Sequence, residues 1–186
     1  MIAILNLCSA GDSFIAASTI YGGTINLFGV TLKKLGIECI WADAEADEEE
    51  IQKLFKPNTK AVFGETLANP ALTVFDIEKW ANIAHKNGVP LIIDNTFATP
   101  ILCRPFEWGA DIVIHSTTKY MDGHAVQGGG VIVDSGQFDW SASGRFPAFT
   151  EPAASYPRGV SPRAFGNIAS TIQARQPTTP AFRCHP

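Results

Sequence analysis

The chain has 186 residues and a formal net charge of −4, which suits one domain with a sizeable core. That charge, and the lack of a basic cluster, exclude an electrostatic footprint for nucleic acid. The four cysteines (Cys8, Cys39, Cys103, Cys184) are far apart and form no C-x-x-C pair, so a zinc ribbon or redox motif is not expected and reduced thiols in a cytoplasmic protein are.

Met1 to Cys8 is apolar but lacks a basic n-region, so it reads as a helix whose beginning lies upstream and not as a signal peptide. No run approaches the length of a membrane span. Gly11-Asp12 marks a turn, and Ser13 to Ser18 reads as a short buried strand. Gly23 to Leu35 predicts a helix with Leu27, Val30 and Leu32 apolar and Gly36 as its stop. Glu38 to Ala42 is the next strand. Asp47 to Phe55 reads as a helix whose acidic opening suits its dipole, and Ala61 to Glu65 reads as a strand. In Asp76 to Asn87, Asp76 caps a helix, Ile77, Trp80, Ala81 and Ala84 form one stripe, and Gly88 ends it.

Pro90 to Asp94 and Ala110 to His115 are continuous apolar strands, the pattern of a sheet covered on both faces. Gly130 to Val133 is one more. Strands alternating with helices predict an α/β fold, a mostly parallel sheet flanked by helices on both faces. From Ser135 onward Gly, Pro, Ser and aromatic residues dominate, and the next predicted helix is Phe165 to Ala174. Residues 1–134 are therefore read as the domain core, 135–175 as an irregular extension, and 176–186 as an unstructured or foreign tail.

Ligands of open parallel sheets sit beyond the carboxyl ends of the strands. Three such ends carry polar groups here: Glu65 to Asn69, Asp94 to Thr96, and His115 to Lys119. Lys119 lies just past a buried strand, with Ser116 and Thr118 close before it. Alternate hydroxyls beside an ammonium suit a phosphate group. A lysine, a carboxylate and hydroxyls together suit pyridoxal phosphate (PLP). Lys119 would form the Schiff base, Asp94 would pair with the pyridinium nitrogen, and Ser116 and Thr118 would bind phosphate. Tyr21 could stack on a planar ring and assist proton transfer. Asn69 could bond a phenolic oxygen or merely fix its turn, and Asp94 could merely cap the turn that follows it. His115, Asp122 and His124 match no common metal-ligand spacing, so no metal is expected. Gly128-Gly129-Gly130 precedes a strand and not a helix, which points to close backbone packing and away from a phosphate loop.

The stretches Ser18-Thr19-Ile20-Tyr21-Gly22-Gly23-Thr24, Glu65-Thr66-Leu67-Ala68-Asn69-Pro70, Ile93-Asp94-Asn95-Thr96-Phe97 and Ser116-Thr117-Thr118-Lys119-Tyr120 resemble, in order, those of the PLP-dependent transsulfuration enzymes of cysteine and methionine metabolism. The resemblance runs from about Ile4 to Gly166. It implies the large-domain fold of fold-type I PLP enzymes, with Lys119, Asp94, Tyr21, Asn69, Ser116 and Thr118 in the roles given above. Tyr21 to Phe28, Gly129 to Gly136, Gly144-Arg145-Phe146-Pro147 and Thr150-Glu151-Pro152 resemble the branch acting on O-acetylhomoserine. That implies γ-replacement of acetate by sulfide to give homocysteine, and a homo-oligomer in the full-length family. The resemblance also implies segments not present here: a glycine-rich phosphate loop, an N-terminal arm shared between subunits, and a C-terminal domain supplying an arginine for the substrate carboxylate. A disrupted frame would explain the change of pattern after Arg175. Two alternatives stand beside this one: a non-catalytic piece that keeps the domain core, and a sibling activity, γ-lyase or cystathionine γ-synthase.

Overall fold

The computed structural model describes residues 1–124 and 126–150. The predicted helix Phe165 to Ala174, the tail from 176 and Glu151-Pro152 lie outside the described residues.

Among the described residues six strands form one sheet in the order β2-β1-β3-β4-β5-β6. They are β1 (Ser13–Ala17), β2 (Glu38–Ala42), β3 (Thr59–Glu65), β4 (Leu91–Asp94), β5 (Ile112–Ser116) and β6 (Gly130–Asp134). The first five run parallel, and β6 pairs with β5 antiparallel at one edge. Every residue of β1 is buried, and so are Leu91, Ile92 and Ile93 of β4. Successive side chains point to opposite faces, so both faces of the central sheet are covered. This is why these strands read as unbroken apolar runs.

The strand order reverses direction after β2, because β3 returns past β1 to its other side. Right-handed crossovers then place the helix between β1 and β2 on one face and the next two helices on the other. On the first face lies α2 (Gly22–Asn26), which runs on through a π-helical turn, Leu27–Leu32. Phe28 from this turn meets Phe14 and Phe63 edge-on, with ring centroids 4.8 and 5.0 Å away. On the second lie α3 (Glu48–Gln52) and α4 (Ile77–Lys86), which pack together. Asp47 and Asp76 cap them by accepting from the N–H groups of Glu50 and Lys79. Trp80 of α4 is fully buried, and its indole N–H donates to the Ala44 carbonyl (3.2 Å).

The structure corrects the sequence reading in several places. The predicted helix Gly23 to Leu35 contains the π-helical turn, which a 3.6-residue periodicity does not register. The helix predicted from Asp47 to Phe55 is shortened to its first turns. Strand β5 runs two residues later than predicted at its start and includes Ser116. Short α5 (Thr99–Leu102), a 3₁₀ turn (Pro105–Trp108) and α6 (Pro147–Thr150) were not predicted. Each is a single turn, too short to show a period. The segment entering α6 docks under the sheet. Arg145 donates to the carbonyls of Pro57 (2.6 Å) and Thr59 (2.9 Å), and Phe138, Trp140, Phe146 and Phe149 form one aromatic cluster.

One buried carboxylate fastens α4 to the sheet. Asp111 Oδ2 accepts from the Leu91 N–H (2.8 Å) and meets His85 Nε2 (2.8 Å). The Asp111 hydrogen bond pushes the His85 imidazole above its ordinary value, against the opposing effect of burial. A histidine raised on folding stabilises fully below its unfolded pKa, and loses that contribution as pH rises through the folded value. Asp111→Ala should cost about 2–4 kcal/mol, since it strands the Leu91 N–H and frees His85. In urea titrations the wild-type margin over this variant should be larger at pH 6 than at pH 8.5, and an equal margin would discount the ion pair.

Candidate active site

A cavity of about 630 Å³ opens at the carboxyl ends of the parallel strands, within the roughly 300–1,000 Å³ typical of small-molecule sites. Tyr21 follows β1, Glu65, Leu67 and Asn69 lie at or past the end of β3, Asp94, Thr96 and Phe97 at or past the end of β4, and Ser116 ends β5, with Lys119, Tyr120, Gly123 and His124 after it. The site thus spans the point where strand order reverses, between β1 and β3, where open α/β sheets bind ligands.

Five of the six predicted residues line this cavity: Tyr21, Asn69, Asp94, Ser116 and Lys119. Thr118 does not. Its hydroxyl accepts from the Gly129 N–H (2.8 Å) and faces the Gly129 carbonyl (3.3 Å). Gly129 is glycine for a local reason, since a Cβ there would come within 2.5 Å of Thr117 Oγ1. Gly129 therefore serves close packing against the turn that carries the lysine, whereas a Cβ on Gly128 would meet nothing within 4 Å. Lys119 sits in a π-helical turn, Thr117–Met121, and its own backbone leaves helical geometry (φ −91°, ψ −120°).

Asp94 is half-buried, and its orientation is set locally. Its Oδ1 accepts from the Thr96 N–H (2.9 Å) and the Thr96 hydroxyl (2.5 Å). Tyr21 is tied at its backbone, and its ring packs locally. Its backbone N–H donates to Glu65 Oε1 (2.9 Å), and the ring lies over Gly23, where a Cβ would come within 2.5 Å of it. At the other wall Phe97 and Tyr120 meet with ring centroids 5.8 Å apart. His115 points elsewhere: it is buried, its Nδ1 has no partner among the described residues, and burial pushes it below its ordinary value. Among the described residues no three His, Cys, Asp or Glu side chains gather as a metal site.

Glu65 lines the cavity and was left without a role by sequence reasoning, though it ends an apolar strand and opens one of the family-like stretches. It is 8% exposed, and burial pushes its carboxyl up to about 7, opposed by the Tyr21 backbone hydrogen bond and reinforced by the Asp94 charge. A second hollow of about 610 Å³ lies beside α5 and α4, but it holds Arg104 with Asp76, Glu78 and Glu107 and no lysine. Size does not separate the two; the chemistry of the lining does.

An amine, a carboxylate with one oxygen unengaged by the described residues, a hydroxyl, an amide and an aromatic face around one hollow fit a flat pyridine aldehyde bearing a phosphate. Fold and site define a cofactor-binding domain of the PLP-dependent α/β type. The chain belongs to the Cys/Met metabolism PLP-dependent enzyme family, whose model matches residues 1–176. It is 43% identical over 176 residues to a homocysteine/cysteine synthase of Saccharomyces cerevisiae, covering 94% of this chain and 39% of that protein. It is 49% identical over 158 residues to an O-acetyl-L-homoserine sulfhydrylase of Corynebacterium glutamicum, covering 83% and 36%. Among solved structures, one from Campylobacter jejuni described as an O-acetylhomoserine (thiol)-lyase, holding N'-pyridoxyl-lysine-5'-monophosphate, superposes with a TM-score of 0.85 at 36% identity, over 93% of this chain and 42% of that one. An O-acetylhomoserine sulfhydrylase of Wolinella succinogenes gives a TM-score of 0.68 at 37% identity, over 75% and 39%. The chain thus spans about two fifths of the length of the curated relatives it matches.

A carboxyl raised on folding destabilises progressively as pH climbs from its unfolded value of 4.5 towards 7. Glu65→Gln keeps an acceptor for the Tyr21 N–H and removes that titration. We expect the variant to gain roughly 1–3 kcal/mol on wild type between pH 5 and pH 7.5. Parallel denaturation curves across that range would show instead that Glu65 does not titrate there.

Proposed function

We propose that this chain forms the cofactor-binding part of an O-acetylhomoserine sulfhydrylase, which replaces the γ-acetoxy group of O-acetylhomoserine with sulfide to give homocysteine and acetate. One observation carries the reading. Lys119, Asp94, Tyr21, Asn69 and Ser116 come from four strand ends and line one cavity. The activities for which these relatives are named support the choice of reaction.

In this reading Lys119 is the covalent anchor, and Asp94 holds a proton on the pyridine nitrogen through the oxygen that Thr96 leaves open. Tyr21 covers the ring face, and Asn69 bonds the phenolic oxygen. Ser116 grips the phosphate, joined by Thr118 once its hydroxyl turns from Gly129. When bound, pyridoxal phosphate supplies an electron sink for negative charge developing on the substrate. Lys119 Nζ moves the protons at Cα and Cβ, acetate leaves from Cγ, and sulfide bonds to Cγ in its place. The remaining phosphate donors and the cation for the substrate carboxylate come, in this proposal, from the rest of a longer homo-oligomeric protein. No helix among the described residues is long and apolar enough to cross a membrane, and a cytoplasmic setting suits the free Cys8, Cys39 and Cys103.

The test is covalent trapping. The chain is mixed with pyridoxal phosphate, reduced with borohydride and digested. A single labelled peptide containing Lys119 is expected, and Lys119→Ala should abolish it. Label spread over surface lysines would refute the assignment. Homocysteine formation from O-acetylhomoserine and sulfide, measured against keto-acid release from methionine, then separates the sulfhydrylase reading from a γ-lyase.

A further inference from the structure

We propose that Thr96 is a positioning residue that sets the Asp94 carboxylate and the start of the lysine-bearing turn as one unit. The inference rests on the cofactor reading above and adds a residue to it.

Three bonds carry it. The Thr96 N–H and hydroxyl both donate to Asp94 Oδ1 (2.9 and 2.5 Å), and the same hydroxyl accepts from the Ser116 N–H (2.8 Å). The first is an ordinary local turn bond. The third is not local. In a parallel ladder the Asn95 N–H bonds the Ile114 carbonyl, as it does here at 2.9 Å, and the Ser116 N–H would bond back to the Asn95 carbonyl. The Thr96 hydroxyl takes that N–H instead. The ladder between β4 and β5 therefore ends on a side chain, and that side chain also holds the acid. Thr96 itself lines the cavity.

The consequence is directional. With Oδ1 occupied twice, Oδ2 is the Asp94 oxygen without a bond from the described residues, and the Thr96 clamp fixes where it points. Ser116, whose N–H the hydroxyl accepts, leads directly into Thr117–Met121 and Lys119. One hydroxyl thus sets the spacing between the acid for the ring nitrogen and the segment holding hydroxyl and amine.

Thr96→Val keeps the shape and removes the hydroxyl, and Thr96→Ser restores it. Pyridoxal phosphate is titrated into the full chain, followed by its visible absorbance and by trapping at Lys119. Loss of one hydrogen bond to a charged group predicts about 10- to 100-fold weaker binding for Thr96→Val, with Thr96→Ser recovering most of it. The titration is repeated with an analogue whose ring nitrogen is replaced by C–H. If Thr96 acts through Asp94, the valine penalty shrinks with the analogue. A merely structural role would weaken both ligands alike, and that outcome, or a valine variant that binds as wild type, overturns the proposal. Should Thr96→Val fail to fold, Thr96→Ala carries the same comparison. A wild-type chain with no adduct at Lys119 removes the cofactor reading and this inference together. A normal wild-type adduct with indifferent Thr96 variants removes this inference alone.

Discussion

A parallel sheet covered on both faces leaves its polar side chains few places to go. Residues inside β1, β3 and β4 face packed helices or turns, where an unpaired polar group costs several kcal/mol. At the carboxyl ends the chain leaves the sheet and backbone donors become free to meet side chains. The reversal of strand order after β2 separates the helices there and opens the space that Tyr21, Glu65, Asp94 and Lys119 share. The apolar continuity of the strands and the polar density of their ends are one constraint seen at two places.

What holds those ends together is a set of side chain to backbone bonds, and few of them join one side chain to another. Glu65 takes the Tyr21 N–H and ties β1 to β3. Thr66 donates to Asn95 Oδ1 (2.7 Å), and Asn95, fully buried, donates to the Cys103 carbonyl (2.9 Å), so β3, β4 and α5 are joined in turn. Thr96 then joins β4 to β5. Each strand end is fixed to the next by a residue at the end of its strand or just past it. Loops held this way can present functional groups without being buried as regular structure.

This division also explains what was legible in the sequence. Leu91-Ile92-Ile93 and Phe14-Ile15-Ala16 announce buried strands because burial on both faces demands apolar residues at every position. The Asp76 cap and the stripe in α4 announce a helix because one face must be apolar. That Lys119, Asp94, Tyr21, Asn69 and Ser116 stand around one hollow was legible because the strand ends that carry them can be read from the apolar runs. Thr118 was read alongside Ser116, and its bond to the Gly129 N–H, eleven positions away, cannot be read from spacing. Glu65 and Thr96 stood inside the quoted motifs but gained no role, because their work depends on which backbone N–H lies opposite. Partners such as Ser116, twenty positions along from Thr96, cannot be read from spacing. The single-turn elements escaped for a plainer reason, since one turn has no period.

The two acids of the cavity show how far environment separates residues of one kind. Asp94 meets two donors from Thr96 and stands half-buried. Glu65 is more deeply enclosed, and burial, helped by the Asp94 charge, pushes it up to about 7. Two anionic carboxylates in one hollow repel, and the deeper one relieves this by holding a proton near neutrality. The arrangement leaves Asp94 as the acid whose position is prepared in advance by Thr96, while burial, the larger cause, keeps the Glu65 carboxyl raised beside the Tyr21 N–H that it accepts from.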